Sequence, residues 1–180
     1  EQVSEYLKDL GQTERKVLRD LGVKFGRYHV FLHHLIKPDA VSLRTLLWKN
    51  HNQKYFNLKP PTFGLNFLED KNLKNRNFML LCGFEKFENF YVRIDILERL
   101  FMQIINSNSE KEIKMKPEML NLLGCNKENF KKLLKNMNYN IFEKGNDVFF
   151  KYVPQKRKKK NFSKKSKKES PFGVLKDLNF

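Results

Sequence analysis

The chain has 180 residues, a formal net charge of +16 and 40% hydrophobic residues, with 17 Phe among its aromatics. That is enough apolar material for a packed core and enough length for one domain or two small ones. No apolar run approaches the roughly 20 residues that span a bilayer and no signal peptide is present, so the expectation is a cytoplasmic protein that does not span a membrane. Cys82 and Cys125 sit in apolar company and match no paired-ligand spacing, which points to reduced, buried thiols of an intracellular protein. The first residue, Glu1, falls inside a helical pattern with no starting Met, and a missing N-terminal segment is expected.

An internal echo appears first in chain order. In "KVLRDLGVKFGRYHVFL", "FMLLCGFEKFENFYVRI" and "LLKNMNYNIFEKGNDVFFKYV" an amphipathic helix ends at Gly22, Gly83 or Asn138, and a hairpin-like stretch follows. Gly and Asn tolerate the left-handed backbone of a helix C-terminus, and Val23, Phe84 and Tyr139 then fold back on the last turn. Two readings stay open. Helix-to-strand junctions converge on this chemistry in any fold, or a unit has been duplicated.

Pro38 opens "PDAVSLRTLLWKNHN", where Val41, Leu43, Leu46 and Leu47 recur at helical spacing and Trp48 is expected to pack. "KYFNLKPPTFGLNFLEDKN", with Pro60, Pro61 and Gly64, reads as a loop pinned by Phe63 and Phe67, and a soft domain boundary falls there. "RIDILERLFMQIINS" is the next strong helix, with Ile96, Leu97, Leu100, Phe101 and Ile104 on a wide apolar face. Beyond it come a short helix opened by Pro117, a turn at Gly124-Cys125-Asn126, a second helix in "KENFKKLLKNMNY" and two β-rich pieces around Gly145-Asn146.

Helix, short helix, turn, helix and hairpin is the order of a winged helix. Lys127 to Met137 would then be its recognition helix, with Phe130, Leu133, Leu134 and Met137 on one face and Lys127, Lys131, Lys132 and Lys135 toward another. The lysine face either meets phosphates or is simply solvated.

Gln155 to Ser170 holds nine Lys/Arg against one acid, half of the chain's excess charge. The run Lys156, Arg157, Lys158, Lys159, Lys160, Lys164, Lys165, Lys167 and Lys168 is too poor in apolar groups to fold, and is expected to be a mobile polycation whose partner is a phosphate backbone. An anionic membrane surface competes for that role, but no inserting amphipathic helix adjoins the run. In "SPFGVLKDLNF" Ser170 is a plausible N-cap, and Phe172, Leu175 and Leu178 fall at helical spacing. Too short to hold as a helix alone, this piece reads as a peptide that docks in a groove of its own protein or of a partner.

Catalytic and metal chemistry find little support. His29, His33, His34 and His51 are not completed by Cys or carboxylate at ligand spacing, so no metal site is assigned. Asp95 and Glu98 are i,i+3 neighbours, but the reading is a dipole-favoured Asp95 and an exposed Glu98. Cys125 has no nearby His in sequence and is read as a buried thiol, not a nucleophile.

Four blocks, "LGVKFGRYHVFLHHLIKPDAVSLRTLLW", "YVRIDILERL", "KPEMLNLLGCNKENFKKLLKNMNY" and "SPFGVLKDL", together resemble the C-terminal region of bacterial DExH-type helicases, the branch similar to the helicase subunit of the mitochondrial RNA degradosome. The resemblance runs from about Lys16 to the end of the chain. It implies a non-catalytic region that packs against two RecA-like motor domains and helps to enclose a nucleic-acid strand. ATP and Mg²⁺ would belong to those motor domains, the helicase core would be a partner in cis, and no cofactor is implied here. His33 and His34 stand where relatives tend to have small residues or proline, and the tail is lysine-rich where theirs are often arginine-rich. A motor needs a phosphate-cradling GxxxxGK[ST] loop and an acidic Mg²⁺ motif, and neither occurs in these residues, so this chain alone is expected not to hydrolyse ATP.

The expectation is therefore an α+β fold, mainly α-helical with short β-hairpins, a winged-helix-like second half and a disordered basic C-terminal tail. Residues 1–75 form a helical accessory region, 76–153 the winged-helix-like region, 154–169 a lysine-rich linker and 170–180 an amphipathic docking peptide. The expected function is nucleic-acid binding, to single-stranded RNA or DNA, with a protein partner for the terminal peptide as a further expectation. A free-standing winged-helix DNA-binding or regulatory protein is the main alternative, and an interaction module acting through its terminal peptide is the second.

Overall fold

The computed structural model describes residues 7–69, 75–107, 112–145 and 147–153. They form a mixed helical and antiparallel-sheet protein in which one helix-plus-hairpin arrangement recurs along the chain. Helix α1 (Gln12–Asp20) leads into the hairpin β1 (Val23–Phe25) and β2 (Val30–Leu32). Helix α2 (Pro38–His51) and strand β3 (Phe67–Glu69) precede the short helix α3 (Arg76–Leu81) and the hairpin β4 (Phe84–Phe87) and β5 (Phe90–Arg93). Helix α4 (Ile94–Asn106), strand β6 (Ile113–Lys114) and helices α5 (Pro117–Leu123) and α6 (Lys127–Asn136) precede the last hairpin, β7 (Tyr139–Lys144) and β8 (Asp147–Tyr152).

The three helix ends take the form the sequence indicates: φ is +90° at Gly22, +85° at Gly83 and +63° at Asn138, and a strand starts at the next residue each time. Asn138 is the one described non-glycine residue with positive φ. At Gly83 the demand is double, because a Cβ would also stand 2.9 Å from Ile36 Cγ2.

The second and third units agree further. Each has three antiparallel strands in which the strand entering before the helix pairs with the last strand, giving the orders β3-β5-β4 and β6-β8-β7. The registers align as well, with Phe84 opposite Arg93 as Tyr139 is opposite Tyr152, and Phe87 opposite Phe90 as Phe142 is opposite Phe149.

Two apolar cores lie on either side of sheet β3-β5-β4. Strand alternation sends Tyr91, with Phe84 and half-buried Leu68, to a smaller core containing Val41, Phe78, Met79 and Cys82. The same alternation sends Phe90 and Val92 to a larger core with α4, α5, α6 and Phe150. Helix α4 buries Ile96, Leu97, Leu100, Phe101 and Ile104, the face its spacing indicates. Helix α6 buries Phe130, Leu133 and Leu134, with Met137 just beyond its end.

Helix α2 differs from expectation. Its apolar and polar residues are mixed around the circumference with no single apolar face, and the side it buries carries Val41 and Thr45, while Leu43, Leu46 and Leu47 are each more than half exposed. Trp48 packs between Tyr55 and Phe78, with ring centroids 5.5 Å from each. Phe67 is a strand residue against the larger core and not a loop anchor, and Phe63 is 49% exposed. Among the described residues no helix is long and apolar enough to cross a membrane.

Candidate nucleic-acid interface

Helix α6 begins at Asn126, whose side-chain oxygen accepts from the Asn129 backbone N–H at 2.8 Å. The cap sets where the helix starts, and burial of its apolar face sets the direction of the lysines. With Phe130, Leu133 and Leu134 inward, Lys127, Lys132 and Lys135 are exposed and Lys131 is half-buried, where its Nζ lies 2.6 Å from Glu143 Oε1 of β7. The Glu143 carboxyl is lowered by the hydrogen bond and charge of Lys131. The structure thus brings all four lysines to one side of α6, with Lys131 tied to the hairpin and the other three facing solvent.

The hairpin adds a feature the sequence reading passed over. Phe142 and Phe149 oppose each other on the face turned away from the core, their rings nearly parallel at 11° with centroids 6.1 Å apart. Lys144 Nζ lies over both rings, 5.5 and 5.8 Å from their centroids. It also pairs with Glu112, and Lys114 pairs with Asp147 at 2.6 Å. An open groove along the free edge of β7, lined by Lys135, Asn138, Asn140 and Phe142, connects α6 to this face.

A second constellation joins the three units. Glu98 of α4 accepts from the backbone N–H groups of Arg27, Tyr28 and His29 at 2.6, 3.0 and 2.8 Å. His29 Nδ1 lies 3.0 Å from Glu98 Oε1 and Nε2 lies 3.1 Å from Glu85 Oε2, and Arg76 reaches the other Glu85 oxygen at 3.1 Å. Burial pulls the imidazole down, but the hydrogen bonds and charges of Glu85 and Glu98 outweigh it and raise His29 from 6.5 to about 9. Burial likewise opposes ionisation of both carboxyls, and their bonds to His29, to Arg76 and to the backbone outweigh it, so both are lowered.

Glu98 is therefore buried, at 7% exposure, where the sequence reading had it exposed. The reason is non-local: three amides of the Gly26–His29 turn converge on it from 69 to 71 residues away. Asp95 is held below its ordinary range because its Arg93 hydrogen bonds, at 2.7 and 2.6 Å, overcome the effect of burial. Cys125 is half-buried and its thiol is pushed up to about 11 by burial, so it is a poor nucleophile. Among the described residues no group of three or more His, Cys, Asp or Glu side chains is placed to hold a metal ion.

Lys156, Arg157, Lys158, Lys159, Lys160, Lys164, Lys165, Lys167 and Lys168, and the terminal Phe172, Leu175 and Leu178, lie outside the described residues. No family model matches the chain, and no curated protein or solved structure matches it.

Proposed function

We propose that this chain binds single-stranded RNA or DNA without catalysing a reaction, as the C-terminal accessory region of an ATP-dependent helicase. Its second half, α4 to β8, is read as a winged helix with α6 as recognition helix and β7–β8 as wing. The observation that carries this reading is the division of α6 into an apolar face locked in the core and a face of four lysines beside an open hairpin. Phosphate contacts of that kind give affinity without sequence preference. The order β6-β8-β7, in which the strand between the first two helices pairs with the last strand, supports the winged-helix reading. The basic run after Val153 adds charge to the same end of the chain.

The test is fluorescence anisotropy of the full chain with labelled single strands of mixed sequence over a salt series. Binding that weakens steeply with salt and little with sequence supports the reading. Failure to bind any strand at low salt overturns it.

A further inference from the structure

The two three-stranded sheets carry the same aromatic pair at the same place. Counting from the residue after the left-handed Gly83 or Asn138, Phe87 matches Phe142, and by register Phe90 matches Phe149. Both pairs are nearly parallel, with centroids 5.5 Å apart in the first and 6.1 Å in the second. Their surroundings differ. Phe87 and Phe90 face the larger core, which covers them with the next unit of the chain. Phe142 and Phe149 neither belong to nor pack against either core among the described residues.

The outer pair is half-buried, and its rim carries three lysines, Lys114 paired with Asp147, Lys144 paired with Glu112, and Lys151. Lys151 and Asn140 share its face, Lys114 stands opposite Phe149, and Lys144 spans both rings. At the matching places in the covered sheet stand Val92, Glu85 and Glu69 in place of Lys151, Asn140 and Lys114. The exchange removes two carboxylates and adds two lysines on this face, a change of charge that favours an anionic neighbour. A centroid distance of 6.1 Å is that of an offset aromatic pair.

We infer that the outer face of sheet β6-β8-β7 is a stacking platform for the bases of a single strand, with Phe142 and Phe149 as its surfaces and Lys114, Lys144 and Lys151 toward the phosphates. This rests on the nucleic-acid reading above and gives it a site. Every base has a π-face, so such a platform binds strands without regard to sequence. The groove from Lys135 past Asn138 and Asn140 to Phe142 leads a strand from the lysine face of α6 onto the rings. The terminal segment 170–180 fits the face less well, because the nine positive charges that precede it meet a lysine rim.

The experiment compares a fluorescein-labelled homothymidine strand with an abasic strand of equal length, both titrated against the full chain at one salt concentration. The intact chain is expected to prefer the base-bearing strand by roughly tenfold or more, the scale of one or two stacked bases. Phe142→Leu and Phe149→Leu should remove most of that preference, with each variant's own abasic titration as its reference and folding checked by thermal melts. Phe142→Trp retains an aromatic face and should keep the preference, with Trp emission quenched by the base-bearing strand alone. Unaltered preference in both Leu variants overturns the platform while the phosphate-binding function stands. A base preference that is absent from the intact chain and appears only after removal of residues 170–180 would also overturn it, by assigning the face in the intact chain to the terminal peptide. Absence of binding to either strand removes the function and the platform together.

Discussion

His29 Nδ1 lies 3.0 Å from Glu98 Oε1 and so closes the β1–β2 hairpin onto helix α4, across 69 residues of sequence. The same carboxylate takes three amides of the turn, and the other ring nitrogen of His29 reaches Glu85 on β4. A single imidazolium therefore ties the first unit to the second and third. Because each donor has a matched acceptor, the burial of these charges is compensated, whereas removing one partner would leave the others stranded.

That arrangement makes the attachment of the hairpin dependent on pH. His29 is raised from 6.5 to about 9, so its contribution is complete below about 6.5 and is lost as pH rises through about 9. Glu85 and Glu98 are lowered, so theirs is present above the ordinary carboxyl range and is lost as pH falls through their folded values. Thermal melts from pH 6 to 10 should show a decline in the intact chain that is much smaller in His29→Gln. Equal declines in both proteins would mean that His29 is not charged in the fold.

Gly26 gives a steric test of the same contact. A Cβ there would stand 2.3 Å from Glu98 Cδ and 2.4 Å from Oε2, and the carboxylate has no slack, since four donors hold it. Gly26→Ala should cost about 1–3 kcal/mol by overpacking, measured by urea unfolding. Gly64→Ala provides a contrast, because its Cβ would meet nothing and only its φ of +92° opposes the change. Its cost should be about 1 kcal/mol.

The orientation of α6 predicts unequal costs on its two faces. Leu134 is 1% exposed within the larger core, and Leu134→Ala should lose about 2–5 kcal/mol. Lys132 is exposed, and Lys132→Ala should stay within about 0.5 kcal/mol of neutral. Comparable losses at both positions in chemical denaturation would contradict the packing described.

What the sequence disclosed depended on how local the cause was. The left-handed ends at Gly22, Gly83 and Asn138 and the apolar faces of α4 and α6 follow from residues within a turn or two of each other, and all were legible. Helix α2 misled because its apolar and polar residues are mixed around the circumference, and periodicity cannot say which side meets Phe78. The Glu98 cluster was hidden because its partners are backbone amides on a distant turn, which no side-chain pattern records. The Phe142–Phe149 face was half legible: "NIFEKGNDVFFKYV" announces a hairpin, but which aromatics face outward needs the register, and only comparison with Phe87 and Phe90 shows that a cover is missing.

The lysine run beyond Val153 gives the last prediction, which rests on counterion release. Each phosphate neutralised on a single strand contributes about −0.7 to the slope of log affinity against log salt, so engagement of roughly half of the nine charges gives a slope near −3. Between about 50 and 200 mM salt that part of the affinity falls roughly 60-fold. Deleting Lys156 to Lys168 should flatten the salt dependence by that amount and weaken all sequences alike, because backbone charge carries no sequence information. It should leave the melting temperature near that of the intact chain, since the run has almost no apolar group to bury. Anisotropy titrations of the intact and deleted chains across a salt series measure both quantities. An unchanged slope and affinity in the deleted chain would remove the run from the interface and leave Lys127, Lys131, Lys132 and Lys135 of α6, with the rim around Phe142 and Phe149, to account for all of the binding.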